Sequence, residues 1–207
     1  MNKSVNIRIG GEAGLGLAAA SDILAKLFIH LGYQVYSSKE YASLIKGGHN
    51  FHNIRISNEP IGAEVKQVDL LLAFDKKSID LHCSSLHTKS IIVSDAKVGV
   101  PTTPNLLLIP IAQLEQEIKE TGLANTFYLG AITKIFGLKF PALEKAIKEF
   151  FQEKPQHIER NIKAARLGYD FCKNKILELP KLSSKKTKDS DFMNPSEFKE
   201  KVAETRN

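Results

Sequence analysis

Ile9-Gly10-Gly11-Glu12-Ala13-Gly14-Leu15-Gly16-Leu17 is the stretch whose reading decides the fold. An alternating apolar run, Val5, Ile7 and Ile9, leads into it. A long apolar-faced helix leaves it, carrying Ala20, Ile23, Leu24, Leu27, Phe28 and Leu31 on one side. Strand, glycine-rich turn, helix is the opening of an α/β domain of the nucleotide-binding type. Glycine permits tight turning with positive φ and close approach of a ligand or a second backbone. The helix behind the turn points free N–H groups and the positive end of its dipole at that spot, which favours an anion. The same spacing also serves simple helix-on-sheet packing, so both readings stand. The acidic residue that a dinucleotide site places about 20 residues on is missing. The second strand instead ends at Ser37-Ser38-Lys39, with Glu40 one place further.

Working outward, the first strand covers about residues 4–9 and the first helix about Gly14 to Leu31, closed by Gly32. Tyr33 to Ser37 is a second strand. Lys39 to Asn50 is a connector without a clean period, broken by Gly47-Gly48 and flanked by Lys46 and His49. Phe51 to Ser57 alternates, Ile54 and Ile56 against Asn53, Arg55 and Ser57, as a strand does. After the turn Asn58-Glu59-Pro60-Ile61-Gly62, Ala63-Glu64-Val65 is expected to return as a short paired strand, which makes the sheet mixed. Val68 to Phe74 is an almost continuous apolar run, the pattern of a strand buried on both faces. Asp75 is placed to cap a helix over Lys76 to Leu81. Ser90 to Ser94 and Leu106 to Ile109 are further strands, with Asp95 at the end of the first.

The remainder reads as helical: Ile111 to Glu120, Ala124 to Phe136, a helix opened by Pro141, and a last long one after Pro155. In that last helix Ile158, Ile162, Ala165, Tyr169, Cys172 and Ile176 form one apolar stripe, for the core or for a seam with a partner subunit. From Pro180 the composition turns to Lys, Ser and Asp. Asn194-Pro195-Ser196-Glu197 starts a short helix beyond this linker. The expected architecture is a three-layer α/β/α Rossmann-like domain with a mixed, mostly parallel sheet and a helical C-terminal half. The domain covers 1–178, with a basic linker and tail helix over 179–207.

Composition narrows the function classes. With 207 residues, 43% hydrophobic and 25% charged, the chain can bury a full core. The charge of +6 gathers near the end, in lysines read as a solvated linker. No recognised nucleic-acid module accompanies it, so no nucleic-acid partner is expected. Cys83 and Cys172 are far apart and give neither a zinc nor an iron–sulfur ligand spacing. Both fall in predicted helices and read as reduced core or near-core thiols. No signal segment or membrane span is read, and the expected location is the cytoplasm. His49, His52 and Asp95 have no Ser or Cys nucleophile at a recognisable spacing, and Asp80, His82 and His87 are too scattered for a metal site. No catalytic residue and no metal ligand is therefore assigned.

Five separated segments agree with one family: Gly11-Glu12-Ala13-Gly14-Leu15-Gly16; Lys46-Gly47-Gly48-His49 running on to Asn53-Ile54-Arg55-Ile56-Ser57 and Glu59-Pro60; Val68-Asp69-Leu70-Leu71-Leu72-Ala73; Asn125 with Leu129-Gly130-Ala131; and Asn161-Ile162-Lys163-Ala164-Ala165 with Gly168-Tyr169. Together they resemble the gamma domain of 2-oxoacid:ferredoxin (acceptor) oxidoreductases, over about residues 3–177. The Gly-Gly-His form with its trailing linker is most similar to the version fused at the N-terminus of the alpha subunit, with a free-standing gamma subunit the close second. The family often has a double glycine at Ala13-Gly14 and arginine at Lys46; lysine keeps the charge but not the bidentate fork. The resemblance implies a non-catalytic module of an enzyme that turns a 2-oxoacid and CoA into acyl-CoA and CO2 and passes electrons to ferredoxin. Thiamine diphosphate, magnesium and iron–sulfur clusters belong on partner domains or subunits. Gly10, Gly11, Gly14, Gly16, Lys46, Gly47, Gly48 and His49 are the candidate contacts for CoA phosphates or for a partner subunit, with Lys39 in support. Two other readings remain open: an independent NADP-type oxidoreductase, for which Ser38-Lys39 would suit the extra phosphate, and an interaction domain without a ligand.

Overall fold

Val5, Ile7 and Ile9 do start the central strand of a sheet, and that strand is longer than its apolar run. The computed structural model describes residues 4–41, 48–100 and 105–172. Strand β1 (Ser4–Glu12) continues through Gly10 and Gly11, which pair with Phe51 and Asn50 of β3 (His49–Ser57). The turn is thus confined to Ala13–Gly16. Strands β2 (Gln34–Tyr41), β4 (Val68–Ala73), β5 (Leu86–Asp95) and β6 (Leu106–Ile109) complete a six-stranded sheet of order β2-β3-β1-β4-β5-β6. From β1 through β4 and β5 to β6 the pairing is parallel, while β3 runs antiparallel to both β1 and β2. The sheet is therefore mixed, as expected, but for a different reason. Ala63-Glu64-Val65 forms no strand; it lies by the face of the sheet, where the Arg55 Nη1 donates to the Ala63 carbonyl at 2.7 Å. A segment over a face has no open ladder edge to join. The antiparallel part comes instead from β3, which lies reversed between β1 and β2, and β2 itself runs on past Ser37 to Tyr41.

The two faces of this sheet are unequal. One carries Val5, Ile7, Ile9, Ile54, Ile56, Leu70, Leu72 and Val93, all essentially fully buried under α1 (Leu17–His30), α3 (Ile111–Ile118), α4 (Ala124–Ile135), α5 (Phe140–Phe150) and α6 (Ile158–Phe171). The other is covered, among the described helices, by α2 (Lys76–His82) alone, with a small cluster of Val68, Leu71, Ala73 and Ile79. The third layer of the α/β/α arrangement is thus one short helix and its flanking loops. All six residues of β4 are buried, which accounts for its unbroken apolar run.

The apolar stripe read along the last helix is displaced. Helix α6 turns Asn161, Ala164, Ala165 and Gly168 inward, while Ile158, Ile162 and Tyr169 are only partly covered. The cause is its contact with α4. A Cβ on Gly130 would lie 1.9 Å from the Ala165 carbonyl oxygen, and one on Gly168 would lie 2.0 Å from that of Phe127. The two helices meet backbone to backbone, so their small residues must face each other. The Thr126 hydroxyl donates to the Asn161 Oδ1 at 2.6 Å and closes one end of the seam. Cys172 is buried, whereas Cys83 is exposed in a single 3₁₀ turn (Cys83–Ser85), not a core helix. The stripe residue Ile176, the basic linker, the tail helix and the proposed boundary at 178 lie outside the described residues.

Candidate functional site at the ends of β1 and β4

Helix α1 leaves β1 towards the heavily covered face, and α2 leaves β4 towards the other. Neighbouring parallel strands whose helices part in this way open a crevice at their C-terminal ends, where α/β sheets hold ligands. Three loops meet there. In the first, Gly14 (φ 97°) has nothing within 4 Å of where a Cβ would stand, and Gly16 (φ 82°) forms the left-handed start of α1. Gly16 is packed against Asn125, whose Nδ2 would be 2.7 Å from a Cβ. Helix α1 has no side-chain cap and no acidic residue in its first turn. Its first N–H groups thus keep their positive field.

The second loop ends at Gly48, whose carbonyl accepts from the Ala13 N–H at 3.4 Å, and His49 pairs with Glu12 across the ladder. The third begins at Asp75. Its Oδ1 accepts from the backbone N–H and the hydroxyl of Ser78, both at 2.7 Å, and so caps α2. Its Oδ2 accepts from the Glu12 N–H at 3.0 Å. One carboxylate thus caps a helix and ties down the base of the glycine loop. Gly10 is needed for this closeness: a Cβ there would stand 3.0 Å from Ser78 and 3.3 Å from His49. Of the candidate contacts, Gly14, Gly16, Gly48 and His49 come together at this end of the sheet, with Gly10 and Gly11 inside β1. Lys46 and Gly47 lie outside the described residues.

Beneath the loops lies a network that the sequence did not announce. Arg8, 8% exposed, stacks its guanidinium on Phe51 at 4.9 Å and donates to Asn53 Oδ1 at 2.7 Å. It also donates to His82 Nδ1 at 3.2 Å and to the Ser85 hydroxyl at 3.3 Å. Arginine only donates, so His82 Nδ1 must be the bare nitrogen and its Nε2 carries the proton. His82 Nε2 lies 2.9 Å from His49 Nε2. The bond then runs from His82 to His49, and His49 holds its own proton on Nδ1. That Nδ1 is buried with no partner among the described residues. Burial above all, then the nearby Arg8 and His49, push the His82 pKa down from 6.5 to about 4, against a smaller upward pull from Asp75. His49 is lowered too, chiefly by burial and secondarily by Lys77, with Asp75 opposing. Both rings are neutral at pH 7.

The other singled-out groups have local duties. Asp95 Oδ1 accepts from the Lys97 N–H at 3.1 Å in a turn. His87 accepts from the Lys89 N–H on Nδ1, so its Nε2 donates to Asp69 at 3.1 Å. His52 is on the opposite face, edge-on to Tyr41. The Asp80 carbonyl accepts from the Cys83 thiol at 3.3 Å. Lys39 sits inside β2 and pairs with Asp22 at 3.0 Å. The strand beside β1 on that side is antiparallel β3, so the end of a second parallel strand, where a dinucleotide's ribose would be read, does not exist here. His82 is visible in the sequence, but its contact with Arg8 is not, because the two are 74 residues apart and because the polar positions of an alternating strand read as solvent-facing.

The profile of the pyruvate ferredoxin/flavodoxin oxidoreductase family matches residues 6–171. The alpha subunit of 2-oxoacid:ferredoxin oxidoreductase 2 from Aeropyrum pernix is 23% identical over 82% of this chain and 34% of its own length. The 2-oxoglutarate synthase subunit KorC of Archaeoglobus fulgidus is 28% identical, over 83% of this chain and 89% of that one. The chain thus spans about a third of the Aeropyrum alpha subunit it matches (34%) and most of the Archaeoglobus KorC subunit (89%). Among solved structures, the pyruvate oxidoreductase subunit PORC of Thermotoga maritima superposes with a TM-score of 0.67 at 27% identity, covering 82% of this chain and 97% of that one. The 2-oxoglutarate:ferredoxin oxidoreductase of Magnetococcus marinus, solved with 2-oxoglutarate, coenzyme A and succinyl-CoA bound, shares the fold with a TM-score of 0.78 at 23% identity over 88% of this chain and 33% of its own.

Proposed function

The chain belongs to the pyruvate ferredoxin/flavodoxin oxidoreductase family, and from that premise we propose that it is the gamma-type module of a cytoplasmic 2-oxoacid:ferredoxin oxidoreductase. The carrying observation is the match over residues 6–171 together with the Archaeoglobus KorC subunit covered over 89% of its length. In this reading residues 1–178 are the module and 179–207 a linker and tail. The enzyme converts a 2-oxoacid and CoA to acyl-CoA and CO2 and passes electrons to ferredoxin. Nothing in the comparisons supports the NADP-type alternative, and Lys39, its supporting cation, is held by Asp22.

The donor set of this chain does not fit the electron-carrying groups. Two cysteines in the whole sequence cannot supply the four of an iron–sulfur cluster. Among the described residues no three His, Cys, Asp or Glu side chains gather to hold a metal ion. Thiamine diphosphate, magnesium and the clusters are therefore assigned to partner subunits, and this chain's part is to bind and position. The loop Gly10–Gly16, with Lys46, Gly47, Gly48 and His49, would receive CoA phosphates or a partner's acidic rim. Support comes from the uncapped start of α1 and the open space at Gly14. Among the described residues no helix is long and apolar enough to cross a membrane.

The test is reconstitution. The chain is co-purified with the thiamine-binding and iron–sulfur subunits, and CoA-dependent ferredoxin reduction is measured with and without it. Loss of activity on omission supports the module; full activity without it overturns the reading. Titration of CoA against the purified full chain, repeated with Gly14→Val and Lys46→Ala, separates CoA binding from subunit contact. Saturable binding weakened by both variants assigns the phosphates to this loop.

A further inference from the structure

We propose that β2 is the seam of a two-fold homodimer, in which the β2 strands of two copies pair antiparallel and join the sheets into one. The proposal does not depend on the gamma-module reading. Among the described residues, strand β2 is the last in the sheet order and pairs with β3 alone. Its eight residues run in unbroken register, without a bulge or a proline, and most of them are exposed. Protected edges are short, bulged, or armed with charges that project into the approach. Here the one lysine, Lys39, is drawn aside by Asp22 on α1. The opposite edge, β6, has only four residues.

A second copy is the occupant because the strand is complementary to itself in one register. A closed two-fold pair must be antiparallel and must keep each face on its own side, so residues pair only with residues of the same face. Val35, Ser37, Lys39 and Tyr41 share the face of Ile54 and Ile56; Tyr36, Ser38 and Glu40 share that of Asn53 and Arg55. Centring the axis on Lys39 or Glu40 sets like charges directly opposite each other. Centring it on Ser38 sets Tyr36 against Glu40 of the second copy, Val35 against Tyr41 and Ser37 against Lys39. A phenol then meets a carboxylate, an apolar pair meets on the other face, and no like charges are opposed. Tyr36 and Tyr41, 37% and 56% exposed, are among the large hydrophobic side chains left open in the described residues.

Light scattering and sedimentation of the full chain across concentration read the association. The wild type is expected to dimerise reversibly. Tyr36→Glu, which opposes two carboxylates twice over, should raise the dimer Kd about tenfold. Adding Glu40→Lys to it should restore association. In a Cys83→Ser background, Ser38→Cys should form an intermolecular disulfide on mild oxidation, because this position faces its own copy across the axis; Tyr36→Cys should not. A wild-type chain that stays monomeric, a dimer indifferent to these charges, or equal cross-linking at both positions overturns the proposal. So does an edge that accepts a strand only from a different polypeptide.

Discussion

Replacing His82 by glutamine should flatten the acid side of the stability profile. In the folded protein His82 takes a proton only near pH 4, against 6.5 for the exposed ring. The unfolded chain therefore binds a proton that the native state refuses. As pH falls from 7, unfolding is favoured progressively until about pH 4, below which both states are protonated and the slope from this group ends. Between pH 7 and pH 5 this one group should cost about 2 kcal/mol of stability. The groups facing His82 are Arg8 and His49, which oppose its charge, and Asp75, which favours it; the last is the weakest of these influences. His82→Gln removes the titration while leaving an amide able to meet Arg8. Urea unfolding at pH 7, 6 and 5 is the assay. Wild type should lose about 2 kcal/mol more than the variant over that range, whatever the variant loses at pH 7. Equal slopes would refute the account of a buried, neutral His82 held by a donor-only arginine. His52 and His30, both lowered chiefly by burial, tilt both proteins the same way and cancel in the difference.

Two further outcomes test the packing. Gly130→Ala or Gly168→Ala must push α4 and α6 apart at a backbone contact near 2 Å, and either should cost about 3 kcal/mol or more in thermal or urea unfolding. Gly14→Ala, strained only by its positive φ of 97° in open space, should cost about 1 kcal/mol by the same measurement; Gly16→Ala should cost more, because Asn125 stands in the way.

Much of this fold was legible from periodicity. The buried strand β4, β6 and the helices from Ile111 onward follow from apolar spacing and glycine or proline stops, because those signals are local. The glycine stretch was legible in kind and misread in extent. Glycine has no side chain with which to show alternation, so nothing marked Gly10 and Gly11 as ladder residues paired to β3. The polar end of β2 hid for a related reason: an edge strand needs no apolar face to belong to a sheet. The α6 stripe was misplaced because spacing ranks residues by hydrophobicity, whereas a backbone contact selects for smallness. In the candidate site, Asp75 as a cap could be read from its place before a helix. Its second bond, to Glu12, could not, since 63 residues separate them. The Arg8–His82–His49 chain is invisible to any local pattern.

The unequal faces of the sheet divide the chain into positions that can drift and positions that are pinned. Under α1, α4 and α5 the sheet presents aliphatic side chains, and exchanges among Ile, Leu and Val of equal volume cost under about 1.5 kcal/mol. On the α2 side, Arg8, Asn53, His82, Ser85 and His49 are linked by direction as well as by size. Removing a partner there leaves a buried donor or acceptor unmet, at about 1–3 kcal/mol each. No conservative swap exists for Arg8, since lysine lacks the planar fork that serves asparagine, histidine and serine together. Along β1, then, Ile7 and Ile9 have many acceptable substitutes, while Arg8, between them, has none that keeps its three partners.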